Sequence, residues 1–472
     1  MNTLPKRIHV IGICGVATSA LAIALHNKGV VVTGSDKGFF PPVSTELEKH
    51  GVSFYAGWHP ELMIKDGVPD AVIIGTASGS HNPETLYATE HKIPMYSFAK
   101  AIGEFFAQEN SIVCVGTWGK TSSTALLSYI LEHAEFNPTY MFGGVSLSHE
   151  SSAKLTNSPW SIFEGDEYKS GPTDPTPKFA YYKPTHLLLT AVSWDHADLY
   201  PTEQQYFAAF DKLISTLSPR GFVIACGDHI GALRVLNTFT GRKVLYGREG
   251  TAGAQYTYSA VMQSKDGIDL EIQHDTDHWH VHSPMLGAYQ AENITGCFAF
   301  ARELGIPAEK ILEAIASFKG LKRRLEKRLD GEISIIDDIA HSPEKASTVL
   351  ATLRQVYEGK IITVFEPNIG GRAREAIIKY NNAFKNSDIV IIPRLTKLKV
   401  AENGSEQPMD GVELTKVISQ THQNTAYIDS DTELVTYLQT HTKKGDCIAF
   451  LGSHGFRGMI EESVKLQSNP VT

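Results

Sequence analysis

The chain is poor in cysteine. Five cysteines in 472 residues, Cys14, Cys114, Cys226, Cys297 and Cys447, form no C-x-x-C pair. That scatter argues against a disulfide framework and against cysteines as metal ligands, and three of the five lie in apolar, strand-like runs. They are expected as small buried hydrophobes in a reducing compartment. No apolar run is long enough to cross a bilayer, so a membrane partner is not expected. Met1 leads into a strand within a few residues, which leaves no room for a signal peptide, and a cytoplasmic location is the expectation. Net charge is −9 with no basic tract, which argues against nucleic acid as a partner. Internal repeats and low-complexity tracts are also missing. The length suits about two to four domains.

The most informative stretch present is Gly116-Thr117-Trp118-Gly119-Lys120-Thr121-Ser122. It follows the apolar run 111–115, read as a strand, and precedes 121–133, whose Ala125, Leu126, Tyr129, Ile130 and Leu131 suit one helix face. Strand, glycine turn and helix N-terminus cradle phosphates through backbone N–H groups and the positive helix end. Lys120 is placed to neutralise β/γ oxygens, and Thr121 or Ser122 to offer a hydroxyl to Mg²⁺. The loop is shorter than the common G-x-x-x-x-G-K-[ST].

Three α/β modules are expected in tandem. The first, 1–107, opens with a strand at 7–11, the turn Gly12 to Val16, a helix at 19–28 and a strand ending at Ser35-Asp36. This is a nucleotide-sugar type of βαβ unit, although only Gly12 and Gly15 of G-x-G-x-x-G are present. A third strand, 71–74, leads into a polar loop with Ser78, His81, Asn82 and Glu84, where open α/β sheets bind ligands. The second module, 108–320, carries the phosphate loop and two strand ends rich in acid or imidazole, Glu164-Gly165-Asp166-Glu167 and Asp195-His196-Ala197-Asp198. Residues 256–283 alternate like antiparallel strands and include His274, His278, His280 and His282; His280 and His282 could share a metal on one strand face, but the favoured reading is a solvated face. The third module, 321–472, has apolar strands at 333–336, 361–365, 389–392 and 447–451, a further βαβ sheet with both faces covered.

The order of these features, followed by Gly287-Ala288-Tyr289-Gln290-Ala291-Glu292-Asn293, Gly320 to Glu326 and Asp337-Asp338-Ile339-Ala340-His341, resembles the Mur ligase family over nearly the whole chain. The resemblance implies a Rossmann-like N-terminal domain, a P-loop-type central ATPase domain and a Rossmann-like C-terminal domain for the amine donor. It implies ATP-dependent amide formation through an acyl phosphate on the lactyl carboxylate of UDP-N-acetylmuramate, with ATP and Mg²⁺ as cofactors.

On the matching positions, Gly116, Thr117, Gly119, Lys120, Thr121, Ser122, Asn293, Arg324 and Asp337 would hold ATP, with Asn293 at the adenine. Lys120, Glu164 and His196 would be catalytic, and Thr121, Glu164 and His196 would support Mg²⁺. Gly12, Gly15, Asp36, Ser78 and Asn82 would bind the nucleotide sugar. Arg372, with Arg374, Arg394, Lys397 and Lys399, would hold carboxylates of the amine donor. The segments 164–168, 178–184 and 194–200, with Val364-Phe365-Glu366-Pro367, lean to the member that adds the murein tripeptide L-alanyl-γ-D-glutamyl-meso-diaminopimelate in peptidoglycan recycling. The alternative is the member that adds L-alanine.

Departures are visible. Thr190 to Trp194 stands where relatives carry Asn and Glu, Asp211 with Lys212 stands near a lysine that some relatives carbamylate, and Ser342 replaces a second histidine. A nucleotide switch leaves the first module unexplained, and a nicotinamide oxidoreductase leaves Lys120 unexplained. The substrates are small molecules, and the assembly is expected to be a monomer or a weak homo-oligomer.

Overall fold

The computed structural model describes residues 4–39, 41, 43–75, 79, 81–171, 174–218, 220–396 and 407–468. Three α/β sheets follow one another along the chain. In the first, five parallel strands run in the order Ser53–Ala56, Val31–Asp36, Arg7–Ile11, Ala71–Ile74, Met95–Ser97. The central strand is buried from Ile8 to Ile11, as a parallel strand covered on both faces must be. Strand order reverses at this strand, so its carboxyl end, at Gly12, opens the crevice where such sheets take ligands. The helix that follows, Val16–Asn27, begins three residues before the sequence suggests.

The second sheet has ten strands. At its centre Asn110–Val115 pairs in parallel with Trp160–Gly165 on one side and His186–Leu189 on the other. Phe222–Cys226 and Arg242–Arg248 extend it in parallel beyond His186–Leu189. Tyr256–Gln263, Ile268–His274 and Asp277–Ser283 complete that side in order. The third sheet runs Glu326–Asp330, Ser334–Asp338, Cys447–Gly452, Ile361–Glu366, Ile389–Pro393, Thr425–Ile428. Only Glu326–Asp330 is antiparallel to its neighbour.

The chain divides into two compact units, residues 1–260, 270–283 and 291–319, and residues 261–269, 284–290 and 320–472. In the first, one apolar core runs from Val10 and Leu25 through Phe106 to Phe163 and Leu189. Burying each such side chain contributes about 1.5–3 kcal/mol. In the second, adjacent residues separate to opposite faces of the six-stranded sheet. Ile336 and Phe365 join a core with Leu350, whereas Ile335 and Val364 join one with Leu434. That alternation is the period of two of a strand covered on both sides.

Candidate active site

The phosphate loop is built where the central strand Asn110–Val115 ends. Gly116 has φ +140° and Gly119 φ +86°, and a Cβ on Gly116 would lie 2.2 Å from Thr190 Oγ1. Only glycine makes both the turn and the close approach. Thr190 holds the loop by donating to the carbonyls of Val115 and Trp118. Thr117 N donates to Ala191 O at 2.6 Å, and Thr117 Oγ1 meets Ser193 O at 2.7 Å and Tyr206 Oη at 3.0 Å. The stretch Thr190 to Trp194, which departs from the family pattern, thus packs directly on the loop. Helix Lys120–His133 starts at the lysine, with Gly119 as a left-handed cap. Ser122 is partly exposed on its first turn.

Two carboxylates at the end of strand Trp160–Gly165 divide the work. Glu164 Oε1 accepts from Thr121 Oγ1 at 2.6 Å, and its Oε2 accepts from Gly143 N at 2.6 Å. A hydroxyl and a carboxylate side by side at a helix N-terminus are hard oxygen donors of the kind Mg²⁺ takes. Glu167, 1% exposed, receives Lys120 Nζ at 2.8 Å, and His196 Nε2 lies 3.6 Å from it. Burial pushes the Glu167 carboxyl up, against the pull of Lys120. His196 sits at φ +54° with its ring against Tyr168, centroids 5.0 Å apart. The geometry therefore joins Thr121 with Glu164, and Lys120 with Glu167 and His196.

Glu167 is the residue that sequence reasoning left without a role. Its partners, Lys120, His196, Tyr206 and the Tyr200 hydroxyl on its carbonyl, come from distant segments. Its signal lay in the acidic cluster, but nothing local ranked it against Glu164. Asp166 is taken up by Lys178 at 2.5 Å. Burial opposes its ionisation, but Lys178 holds its carboxyl below the ordinary range. Between these acids and the first sheet's helices lies a cavity of about 150 Å³ lined by Ala17, Phe98, Phe142, Gly143, Glu164 and Lys178, among others. Asn293, 5% exposed, backs the loop: its Oδ1 is 3.4 Å from Ser123 Oγ and would be 2.7 Å from a Cβ on Gly119.

In the first sheet Gly12 has φ +81°, and its N–H donates to Ser35 O at 2.8 Å. Asp36 Oδ2 accepts from Cys14 N at 2.9 Å. Gly15 caps the helix at φ −67°, with no left-handed requirement. Asn82 Oδ1 caps helix Pro83–Glu90 by accepting from Glu84 N and Thr85 N, so its oxygen is committed to the backbone. Ser78 lies outside the described residues.

The second unit places Asp337, 2% exposed, beside Arg323 at 3.4 Å and Arg328 at 3.6 Å. Burial pushes its carboxyl up to about 6 in spite of both arginines. Arg324 is in electrostatic reach of Asp338 and Tyr289. Its neighbour Arg323, absent from the sequence expectations, holds positive φ and donates to Ser453 O at 3.2 Å and His454 O at 2.9 Å. Arg372 turns inward: Nε donates to Met409 O at 2.9 Å and Nη1 to Thr396 O at 3.0 Å. Arg374 pairs with Glu413 and Arg394 with Asp431. These arginines are engaged by groups of their own unit, and Lys397 and Lys399 lie outside the described residues. No helix among the described residues is long and apolar enough to cross a membrane.

Three family profiles match in succession: the Mur ligase family catalytic domain over residues 7–110, the Mur ligase middle domain over 115–301, and the Mur ligase glutamate ligase domain over 323–454. The UDP-N-acetylmuramate–L-alanine ligase of Rhizobium etli is 28% identical over 466 residues, 95% of each chain. Among solved structures, the UDP-N-acetylmuramate-alanine ligase of Thermotoga maritima superposes with a TM-score of 0.76 at 21% identity, over 98% of this chain and 99% of that one. The murein peptide ligase of Psychrobacter arcticus gives 0.68 at 22% identity, over 99% and 100%. These matches account for all three sheets and for the ATP-dependent ligase chemistry expected at the phosphate loop: the chain belongs to the Mur ligase family.

Proposed function

We propose that the protein joins the lactyl carboxylate of UDP-N-acetylmuramate to the α-amino group of L-alanine, with ATP as the activating reagent. The observation behind this reading is the pairing of Thr121 with Glu164 and of Lys120 with Glu167 and His196 around one phosphate loop. A carboxylate is a poor electrophile. Transfer of the γ-phosphoryl group makes an acyl phosphate, the amine attacks its carbonyl, and phosphate leaves as the amide forms. Lys120 leaves Glu167 to neutralise the transferred phosphoryl group, so the paired carboxylate keeps the amine in place until nucleotide arrives. Thr121 and Glu164 would hold Mg²⁺, which would supply charge neutralisation at the phosphates. Catalysis is then positioning and charge neutralisation.

In this reading residues 1–107 take the nucleotide sugar near Gly12, Gly15 and Asp36. Residues 108–320 take ATP, with Asn293 toward the base. Residues 321–472 take the amine donor. L-alanine is favoured by the Rhizobium etli relative, which matches over nearly all of both chains. The described arginines Arg372, Arg374 and Arg394 also already have partners, whereas a tripeptide needs several cations for its carboxylates.

A second reading, the murein tripeptide as donor, is favoured by Glu164-Gly165-Asp166-Glu167-Tyr168. There the Tyr168 hydroxyl reaches Asp198 at 2.7 Å and the hairpin of Lys169–Gly171 and Asp174–Pro177 follows. The test is kcat/KM for phosphate release with each amine under saturating ATP and UDP-N-acetylmuramate. L-alanine is expected to win by at least about tenfold, equal to about 1.4 kcal/mol of transition-state binding. A tenfold preference for the tripeptide establishes the second reading instead.

A further inference from the structure

Strand Phe222–Cys226 ends in a buried thiol. The chain turns through Gly227 and Asp228, and His229 stands at the N-cap of the next helix in extended conformation, φ −111°, with no side-chain capping bond. Asp228 fixes that turn by accepting from Arg248 N at 2.9 Å and from the Thr251 hydroxyl. Glu292, on the first turn of helix Gln290–Glu303, faces the turn: its Oε2 lies 2.9 Å from His229 Nε2. Cys226 Sγ, a His229 ring nitrogen and a Glu292 carboxylate oxygen all fall within 4.8 Å of one another.

Sulfur, nitrogen and oxygen bound to one zinc-type ion, at about 2.3, 2.0 and 2.1 Å, are separated by less than that limit in a tetrahedron. A second observation points to the same place. Tyr246 is fully buried, and its hydroxyl faces the Cys226 thiol. It lies in electrostatic contact with Cys226 and Glu292. Room for its ring exists because residue 296, one turn beyond Glu292, is glycine; a Cβ there would meet Tyr246 Cζ at 2.7 Å.

We propose that Cys226, His229 and Glu292 form a binding site for a zinc-type divalent cation, separate from the oxygen site of Thr121 and Glu164. Thiolate and carboxylate together balance the charge of a divalent ion, so the filled site is neutral where it is most buried. The soft sulfur selects against Mg²⁺ and Ca²⁺. Coordination sends the thiol proton to solvent, and affinity therefore rises with pH. His229 and Glu292 are 28% and 19% exposed, so water can reach the triad, and the Trp118 ring edge meets His229 with centroids 6.3 Å apart. The sequence alone reads the scattered cysteines as buried hydrophobes and not as metal ligands; the C-x-x-H spacing of Cys226 and His229 gains its carboxylate, 63 residues beyond His229, only in the fold.

The test uses the full chain stripped of metal by a chelator and titrated with Co²⁺ in the absence of ATP. One equivalent is expected to bind with thiolate-to-cobalt charge-transfer absorption and tetrahedral d–d bands, both abolished by Zn²⁺. Cys226→Ser loses the charge-transfer band, and His229→Gln and Glu292→Gln each weaken binding by roughly tenfold or more. Circular dichroism verifies that each variant is folded. Absence of the charge-transfer band in the parent protein overturns the proposal, as does its survival in folded Cys226→Ser. If Cys226→Ser does not fold, unchanged Co²⁺ affinity in both other variants overturns it. None of these outcomes depends on which amine the enzyme uses.

Discussion

At Gly12 and again at Gly116 a buried parallel strand turns through glycine into a helix, yet the two turns treat charge in opposite ways. At the first, the chain supplies its own anion. Asp36 accepts from Cys14 N at 2.9 Å, so one of the amides at the helix entry is already satisfied by a carboxylate. At the second, Gly119 opens the helix in left-handed conformation. The charge at that turn is the cation Lys120, held by Glu167 at 2.8 Å. A turn already carrying a carboxylate suits hydroxyl and amide groups of a nucleotide sugar. A turn carrying an amine on a displaceable partner suits a phosphoryl group in transfer. The backbone motif alone does not distinguish them; the side chains delivered by the neighbouring strand do.

The largest expected effect breaks the second turn. Lys120→Ala should lower kcat by about 10³-fold or more, several kcal/mol of transition-state stabilisation. The fold should lose little, because Glu167, whose carboxyl burial already pushes up, takes a proton once its partner is gone. Phosphate release and the thermal midpoint measure the two effects separately. Asp36→Asn, the counterpart at the first turn, should raise KM for UDP-N-acetylmuramate and leave KM for ATP in place. Near-normal turnover by folded Lys120→Ala removes the distinction between the turns.

The next effect contrasts the two glycines. Gly119→Ala must accept φ +86° and a Cβ 2.7 Å from Asn293 Oδ1, which should cost about 2 kcal/mol and raise KM for ATP. Gly15→Ala has an ordinary φ of −67°. Its Cβ meets Thr18 Oγ1 at 2.7 Å, a hydroxyl that would have to give up its bond to Gly12 O, and should cost about 1 kcal/mol. Denaturant midpoints at equal m-value give both numbers. Equal losses at the two positions would mean that the left-handed cap is not what sets the phosphate loop apart.

Local signals explain what was legible. Strand Asn110–Val115, the glycine loop and helix Lys120–His133 each announce themselves within a few residues, and the structure starts the helix one residue earlier than expected. Ala71–Ile74 matches its expected bounds, being four apolar residues in a row. Ser53–Ala56 and Glu326–Asp330 were not legible. The first is four residues with no buried member. The second is Glu-Lys-Arg-Leu-Asp, a charged edge strand that gains its ladder from Ser334–Asp338. The same limit hid Glu167 and Arg323, whose partners are fixed by tertiary pairing rather than spacing. Asn82 carries a role that local sequence does not announce: a polar residue in a loop at a strand's carboxyl end reads as a ligand contact, and its side-chain oxygen is also a helix cap.

The last effect is a pH dependence of the helix behind the second turn. The helix that starts at Lys120 packs a buried histidine on its far end: His149 Nε2 meets Ser128 Oγ at 3.2 Å and Glu132 at 3.6 Å. Its ring lies among Tyr129, Tyr140, Phe142 and Phe318. Burial lowers the His149 pKa from 6.5 to about 4. The unfolded chain therefore binds this proton first as pH falls, and the folded state binds it only near pH 4. Stability from His149 is full above pH 6.5 and is lost as pH drops through the window from 6.5 to about 4. By pH 5.5 the loss should be about 1.4 kcal/mol. His186, lowered to about 4 by burial in the same unit, adds a loss of the same sign. His149→Phe gives up the bonds to Ser128 and Ser146 and starts less stable, so the informative quantity is the slope of stability against pH between 7 and 5.5. It should fall in His149→Phe, and fall further in His186→Phe. An unchanged slope in His149→Phe would show that burial of this ring does not make the helix behind the phosphate loop sensitive to acid.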